Sequence, residues 1–164
     1  MDEIGRPYRL FESKRSYHNL DYGVDWEPFL ARYWRAGRTI ATGTRVRPTR
    51  FNGYEYEATQ GGQTGRSEPT WRTTLGGTNA DGSVVWTCRP VSTASLLTTV
   101  QNSTWEVDGQ PAGAPTLSND SFTGQVTTVW VGGGTSGQRY SLLNRVQLAN
   151  SQQVEAELVI PVQD

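Results

Sequence analysis

The sequence predicts an all-β protein, and three observations carry this prediction. Gly occurs 18 times and aromatic residues make up 10% of the chain, whereas aliphatic residues are few, a balance typical of short strands and turns. Two dipeptides, Asn52-Gly53 and Asp81-Gly82, have the composition of tight hairpin turns. From residue 94 onward, apolar and polar residues alternate in short runs separated by turn residues.

Residues 1–20 are polar, and their few apolar side chains follow no sustained period. We expect an extended N-terminal arm, which in an assembly would lie across a neighbouring subunit. Neither the hydrophobic core of a signal peptide nor the run of about 20 apolar residues of a membrane span is visible in the sequence.

The segment LDYGVDWEPFL, residues 20–30, combines aromatic and acidic residues. Asp25 is expected to cap a short helix that starts at Trp26, with Pro28 in its first turn. We predict a docking interface at Asp21, Tyr22, Asp25 and Trp26. For Trp26, packing in the core is the alternative that we favour.

Residues 34–90 are predicted to form a small antiparallel β module. A two-residue turn at Asn52-Gly53 would place Arg50 opposite Glu55 as a cross-strand ion pair. The second hairpin, at Asp81-Gly82, leads into the strand SVVWTC.

The aromatic residues of this module must supply most of its core, because it has few aliphatic residues. We assign Tyr56 and Trp86 to that core. Trp34, Tyr54 and Trp71 are candidates for binding a glycan or a protein partner, with Tyr54 and Trp71 expected to be the exposed pair. Burial in the core or in a protein interface is the competing interpretation, and the one that we favour for the rings as a group.

The region from Ala94 to the end predicts a sandwich of short strands, immunoglobulin-like but without a disulfide, since Cys88 is the only cysteine. Three sets of residues are each predicted to share a strand face: Phe122, Val126, Thr128 and Trp130; Tyr140, Leu142, Asn144, Val146 and Leu148; and Val154, Ala156, Leu158, Ile160 and Val162.

Charge and residue chemistry argue against several functions. The net charge of −1 does not favour nucleic-acid binding, although residues 32–72 carry eight Arg against three Glu. The single histidine, His18, has no visible nucleophile beside it, and no spacing of metal ligands is evident. We therefore expect no catalytic residues, no metal, no cofactor and no membrane contact.

Two stretches resemble known phage proteins. GYEYEATQGGQTGRSEPTW with DGSVVWTC resembles a module of phage tail and appendage proteins and, with Tyr33-Trp34 ahead of it, is distantly similar to small chitin-binding modules. LDYGVDWEPFL, then VQNSTWEV and GGTSGQRY, resembles the pattern of phage fiber-tail or head-tail adaptors. The resemblance implies an immunoglobulin-like adaptor domain of residues 21–33 and 91–164, interrupted by the module of residues 34–90.

The resemblance also implies a function. The protein would be a structural virion protein of the tail or neck, assembled in the host cytoplasm. It would join the tail tube or nozzle to fibers or appendages in several copies or as a homo-oligomeric ring. The alternative is a carbohydrate-binding protein that acts through exposed aromatic side chains of residues 34–90.

Overall fold

The computed structural model of the chain describes residues 8–10 and 14–164. Within these ranges the chain forms fourteen strands, one short α-helix and one 3-10 helix. In chain order they are β1 (Tyr8–Leu10), β2 (Lys14–Arg15), β3 (Asn19–Asp25), α1 (Glu27–Leu30), β4 (Thr39–Ile40), β5 (Arg45–Val46), β6 (Tyr54–Gln60), β7 (Gly62–Gln63), β8 (Thr78–Asp81), β9 (Val84–Pro90), the 3-10 helix (Thr93–Ser95), β10 (Val100–Val107), β11 (Thr116–Thr123), β12 (Val126–Gly132), β13 (Arg139–Leu148) and β14 (Gln153–Gln163). The predicted all-β fold is confirmed.

The chain divides into two compact units. The first, here called the sandwich unit, combines Met1–Leu30 with Thr98–Asp164. The second, here called the inserted unit, is the continuous segment Ala31–Leu97. The module predicted for residues 34–90 lies within the inserted unit.

The first sheet of the sandwich unit has the strand order β1-β14-β13-β10, and β2 also pairs with β14. Strands β10, β13 and β14 are antiparallel, whereas β1 and β2 run parallel to β14. The alternations predicted for residues 140–148 and 154–162 are confirmed, since nine of the ten side chains are buried and the tenth, Val154, is partly buried. Of the predicted N-terminal arm, residues 1–7 and 11–13 lie outside the described residues.

The second sheet has the order β11-β12-β3 and contains the third predicted set of residues. Thr127, Val129 and Val131 are fully buried, whereas Val126 and Trp130 are about two-fifths exposed. Phe122 lies on the preceding strand, β11. Val126, Thr128 and Trp130 share the outward face of β12, as the alternation predicts, and only Phe122 falls outside that strand.

The inserted unit contains a sheet of order β5-β6-β9-β8 and the short pair β4-β7. Its core is largely aromatic, as predicted, and Tyr56 and Trp86 are fully buried within it. The buried members of this core are Trp34, Val46, Tyr56, Ala58, Val84, Trp86 and Cys88. The hairpin at Asp81-Gly82 is confirmed, since Asp81 pairs with Val84 and Gly82 has a φ of 61°.

The hairpin predicted at Asn52-Gly53 is wrong. Strand β5 ends at Val46, which pairs with Tyr56, so a loop rather than a two-residue turn connects β5 to β6. Pro48 follows shortly after β5 and has no N–H to donate to a ladder. Asn52 instead accepts a hydrogen bond from the Tyr54 N–H through its side chain, at 3.2 Å.

Candidate functional site

The predicted docking segment is divided between the two faces of β3 and the start of α1. Tyr22 and Trp26 are buried, with Trp26 completely inaccessible, whereas Asp21 and Asp25 are exposed. Successive residues of a strand point to opposite faces, which accounts for the division within β3. Burial also raises the pKa of Tyr22. The two aromatic residues are core residues, and only the two carboxylates face solvent.

Trp26 takes part in a buried polar network around Asn144. The Trp26 indole N–H donates to Asn144 Oδ1 at 2.9 Å, and the Thr127 hydroxyl donates to the same oxygen at 2.7 Å. Asn144 Nδ2 donates to Ser103 Oγ at 2.9 Å and to the Thr104 carbonyl at 3.1 Å. Asn144 thereby links the two sheets of the sandwich unit. Both tryptophan-containing motifs of the adaptor resemblance, VDW and NSTW, supply partners to it.

Asp25 caps α1 as predicted, because its Oδ1 accepts the Glu27 N–H at 3.0 Å. The helix runs over Glu27–Leu30, one residue later than predicted, with Pro28 in its first turn. Phe29 lies edge-on to Trp26, with a ring centroid distance of 6.2 Å. The cap therefore leaves Asp25 at the surface while the helix covers Trp26.

The outer face of the second sheet carries a mixed apolar and acidic surface. Trp130 pairs with Asp21 and Val126 pairs with Asp25, so each exposed apolar side chain lies beside a carboxylate. We call these four residues the outer patch. Between the two pairs lies Gly23, where an added Cβ would come within 2.8 Å of the Thr127 carbonyl oxygen. The close approach of β3 to β12 therefore requires glycine at this position.

Strand β11 forms one edge of the same sheet. Its residues are exposed along almost the whole strand, and the register with β12 shifts between Ser118 and Ser121. Asn119, within the shift, has a φ of 50°, a conformation that Asn tolerates better than most residues. An exposed edge strand offers backbone donors and acceptors to another chain.

Lys14 was not anticipated as a structural residue. It is 1% exposed, and its ammonium group donates to three carbonyl oxygens: Arg15 at 3.0 Å, His18 at 2.9 Å and Gly133 at 2.7 Å. Burial lowers the pKa of the Lys14 ammonium group. These bonds attach the beginning of the sandwich unit to the loop between β12 and β13.

In the inserted unit, Trp34 does not occupy the position expected of a sugar-binding side chain. It is 8% exposed, and its indole N–H donates to Asp81 Oδ2 at 2.7 Å. Trp86 donates to the same oxygen at 2.9 Å, and the Gly65 N–H donates to Asp81 Oδ1 at 2.7 Å. Asp81 is therefore the polar centre of this core, and Trp34 has no exposed ring face on which a sugar would stack.

Tyr54 and Trp71, expected to be exposed, are both half-buried and pack against the core. The ring of Trp71 lies 4.2 Å from that of Tyr56 between centroids. Its remaining surface lines a pocket of about 450 Å³, to which Pro48, Arg50 and Pro69 also contribute. Tyr54 is not among the residues that line it, so the structure does not bring the two predicted side chains into one site.

Glu55 is a buried carboxylate that sequence reasoning missed. It accepts hydrogen bonds from Arg45 at 2.6 Å and from the Ser92 N–H at 2.9 Å. Burial alone would raise the pKa of Glu55, but the hydrogen bonds from Arg45, Ser92 and Ser95 outweigh it and hold the pKa below its usual range. The alternation of β6 placed Glu55 on the outward face, and Ser92, which covers it, is distant in sequence.

In the described part of the chain, no three His, Cys, Asp or Glu side chains are grouped as metal ligands would be. None of the helices described there has the length and apolar character to cross a bilayer.

The fold and these surfaces first define a class: an all-β protein built on a sandwich, with exposed apolar and acidic side chains on one outer face. Residues 90–161 match the family model described as podophage GP4 fiber-tail adaptor protein gp77. Over this region the chain is therefore similar to phage fiber-tail adaptors. No curated protein and no solved structure matches the chain. The match begins at Pro90, so β3 and most of the inserted unit lie outside it.

Proposed function

We propose that this protein joins the tail tube or nozzle to a fiber or appendage protein, by protein–protein contacts and without chemical turnover. The observation that carries the proposal is the outer patch, where Val126 and Trp130 are 42% and 40% exposed on the outer face of the second sheet. Aromatic side chains are enriched in the buried centres of protein interfaces, so Trp130 is the expected anchor.

The carboxylates of the outer patch suggest the chemistry of its partner. Asp21 and Asp25 lie beside the two apolar side chains, and neither carboxylate takes part in an ion pair within the described part of the chain. A partner surface with Arg or Lys at matching positions would pair with them as Trp130 becomes buried. Charge complementarity of this kind sets the orientation and the rate of association more than the affinity.

The distribution of charge supports assembly in several copies. The inserted unit has nine Arg against four acids, a net charge of +5, whereas the sandwich unit has six basic residues against twelve acids, a net charge of −6. The acidic sandwich unit of one copy would therefore attract the basic inserted unit of the next copy. Such a head-to-tail contact generates a ring if it closes. We propose that this assembly takes place in the host cytoplasm.

The proposal is tested by the incorporation of variants into phage particles, measured as copies per particle by quantitative mass spectrometry. We expect the double variant Val126→Ser, Trp130→Ser to be incorporated at least tenfold less than the original protein, because the apolar anchor is lost. Leu75→Ser is the matched control, since Leu75 is 58% exposed on the inserted unit. Normal incorporation of the double variant would remove the outer patch as the docking surface.

A second pair of variants isolates the charge. Asp21→Asn with Asp25→Asn removes both carboxylates, and Asn is as good a helix cap as Asp. We expect this double variant to be incorporated less than the original protein, and we expect its incorporation not to fall further at raised salt. Asp108→Asn, in an exposed turn, is the control.

Light scattering of the purified protein at low and high salt tests the head-to-tail contact. A monomer at every salt concentration would argue against association between copies.

A further inference from the structure

An open depression beside Trp71, with a volume of about 450 Å³, is lined by both apolar and polar side chains. Pro48, Pro69 and the Trp71 indole supply apolar walls, and Arg50, Thr70 and Thr73 supply polar groups. No function assigned to the adaptor above uses these residues.

The indole of Trp71 is held in place before any ligand arrives. Its N–H donates to Glu68 Oε1 at 2.8 Å, and the same oxygen accepts the Thr49 N–H at 2.9 Å. Its ring packs against Tyr56 on the core side. A ring fixed in this way loses little conformational freedom on binding, which favours affinity.

Some polar groups of the pocket already have hydrogen-bond partners within the chain, and others do not. Glu68 is engaged by Trp71 and Thr49, and the amide of Asn52 is engaged by Tyr54 and Tyr56. In contrast, the guanidinium of Arg50 is exposed and makes neither an ion pair nor a hydrogen bond within the described part of the chain.

The hydroxyls of Thr70 and Thr73 are also without a hydrogen-bond partner there. Besides the engaged Glu68 carboxylate and Asn52 amide, the residues that line the pocket therefore include one aromatic ring, one cation and two hydroxyls.

We propose that this pocket binds a hexose-sized saccharide that carries one anionic group. The apolar C–H face of a pyranose ring would pack on Trp71, and the two threonine hydroxyls would meet its hydroxyl groups. Arg50 would pair with the anion, since guanidinium groups bind carboxylate and phosphate oxygens through two parallel hydrogen bonds. A wholly apolar ligand would desolvate Arg50 without compensation. The proposal is independent of the adaptor function.

The experiment is a titration of the full chain that is monitored by saturation-transfer NMR. The probes are glucuronic acid, glucose 6-phosphate and glucose. We expect at least one anionic sugar to bind about tenfold more tightly than glucose. The tighter of the two identifies the anion as carboxylate or phosphate. Equal binding of all three sugars, or no binding of any, would overturn the proposal.

Variants locate the binding in this pocket. Arg50→Gln should reduce the affinity for the anionic sugar to that for glucose, because the pairing of Arg50 with the anion is lost. The side chain is exposed, so its replacement leaves the core intact. Arg66→Gln, an exposed arginine of the same unit outside the pocket, is the matched control and should bind as the original does. Thr73→Val should weaken the binding of all three sugars to the same extent, because the hydroxyl of Thr73 would meet a hydroxyl group of each sugar. Unchanged affinity in Arg50→Gln would overturn the proposal.

Discussion

The two units of this protein use different chemistry to provide hydrogen bonds inside their cores. Each has a buried polar group at its centre: Asn144 in the sandwich unit and Asp81 in the inserted unit. Asn144 is neutral, both donates and accepts, and lies in a mostly aliphatic core. Asp81 is a carboxylate that accepts from two indoles and one backbone N–H in an aromatic core. Asp81 receives two indole N–H groups and can only accept, whereas Asn144 receives one indole N–H and also donates.

The difference predicts that the inserted unit depends more on its central residue. Asp81→Ala would leave the N–H groups of Trp34, Trp86 and Gly65 buried without an acceptor. Because each unsatisfied buried group costs about 1–3 kcal/mol, we expect a loss of about 3–5 kcal/mol in the stability of the inserted unit. Hydrogen exchange followed by mass spectrometry resolves the two units.

Peptides from Ala31–Leu97 should exchange much faster in this variant, while those from the sandwich unit should be less affected. Asp81→Asn, which keeps one acceptor oxygen, is the control and should reduce the stability of the inserted unit less than Asp81→Ala does. If Asp81→Ala left the exchange of the inserted unit unchanged, its core would not depend on the carboxylate.

Asn144→Leu makes the corresponding change in the sandwich unit. The Trp26 indole N–H and the hydroxyls of Ser103 and Thr127 would lose their partner, but leucine fills most of the volume and contributes apolar burial. We expect a loss of about 2–3 kcal/mol, smaller than that of Asp81→Ala, since hydroxyl groups can turn toward other acceptors. Thermal unfolding and hydrogen exchange of Thr98–Asp164 measure it. A larger loss than in Asp81→Ala would reverse the comparison.

How far the sequence predicts these features depends on the range of the interactions. The alternation of Ala156, Leu158 and Ile160 is local and predicts the core face of β14 correctly. Around Trp130, apolar residues occur on both faces of β12, so hydrophobicity alone does not determine which set is inward. Only pairing with β3, more than 100 residues away in sequence, determines which face is inward.

The candidate site residues show the same limit. Asp25 was predicted correctly as a cap because capping depends on neighbouring residues. Trp34 remained a candidate for ligand binding because the sequence does not show that Asp81, a residue typical of turns, accepts its N–H. The pocket at Trp71 joins residues around 50 and 70 that no local pattern connects.

The two units should also differ in their response to acid, through Glu55 of the inserted unit. Its folded-state pKa is depressed, so its contribution to stability is present above the unfolded-state pKa of about 4.3 and is lost as the pH falls through the lower folded-state value. We expect acid below about pH 4 to destabilise the inserted unit through this residue.

Glu55→Gln should cost about 2 kcal/mol at pH 7, because the charged hydrogen bond to Arg45 is lost, and should make the stability of the inserted unit less dependent on pH. Unfolding measured between pH 3 and pH 7 tests both statements. Glu157→Gln, in the sandwich unit, serves as the comparison. A variant that kept the full acid sensitivity of the original protein would exclude Glu55 as its source.

The smallest effect is expected at Asp25, where capping and docking use the same side chain. Asp25→Ala removes the acceptor for the Glu27 N–H and should cost about 1 kcal/mol, whereas Asp25→Asn keeps the cap and should change stability by less than about 0.5 kcal/mol. Thermal unfolding of the two variants measures the cap alone. If docking depends on the charge, Asp25→Asn should lose incorporation into particles while it keeps stability. Equal incorporation of the original protein and Asp25→Asn would restrict this carboxylate to the cap of α1.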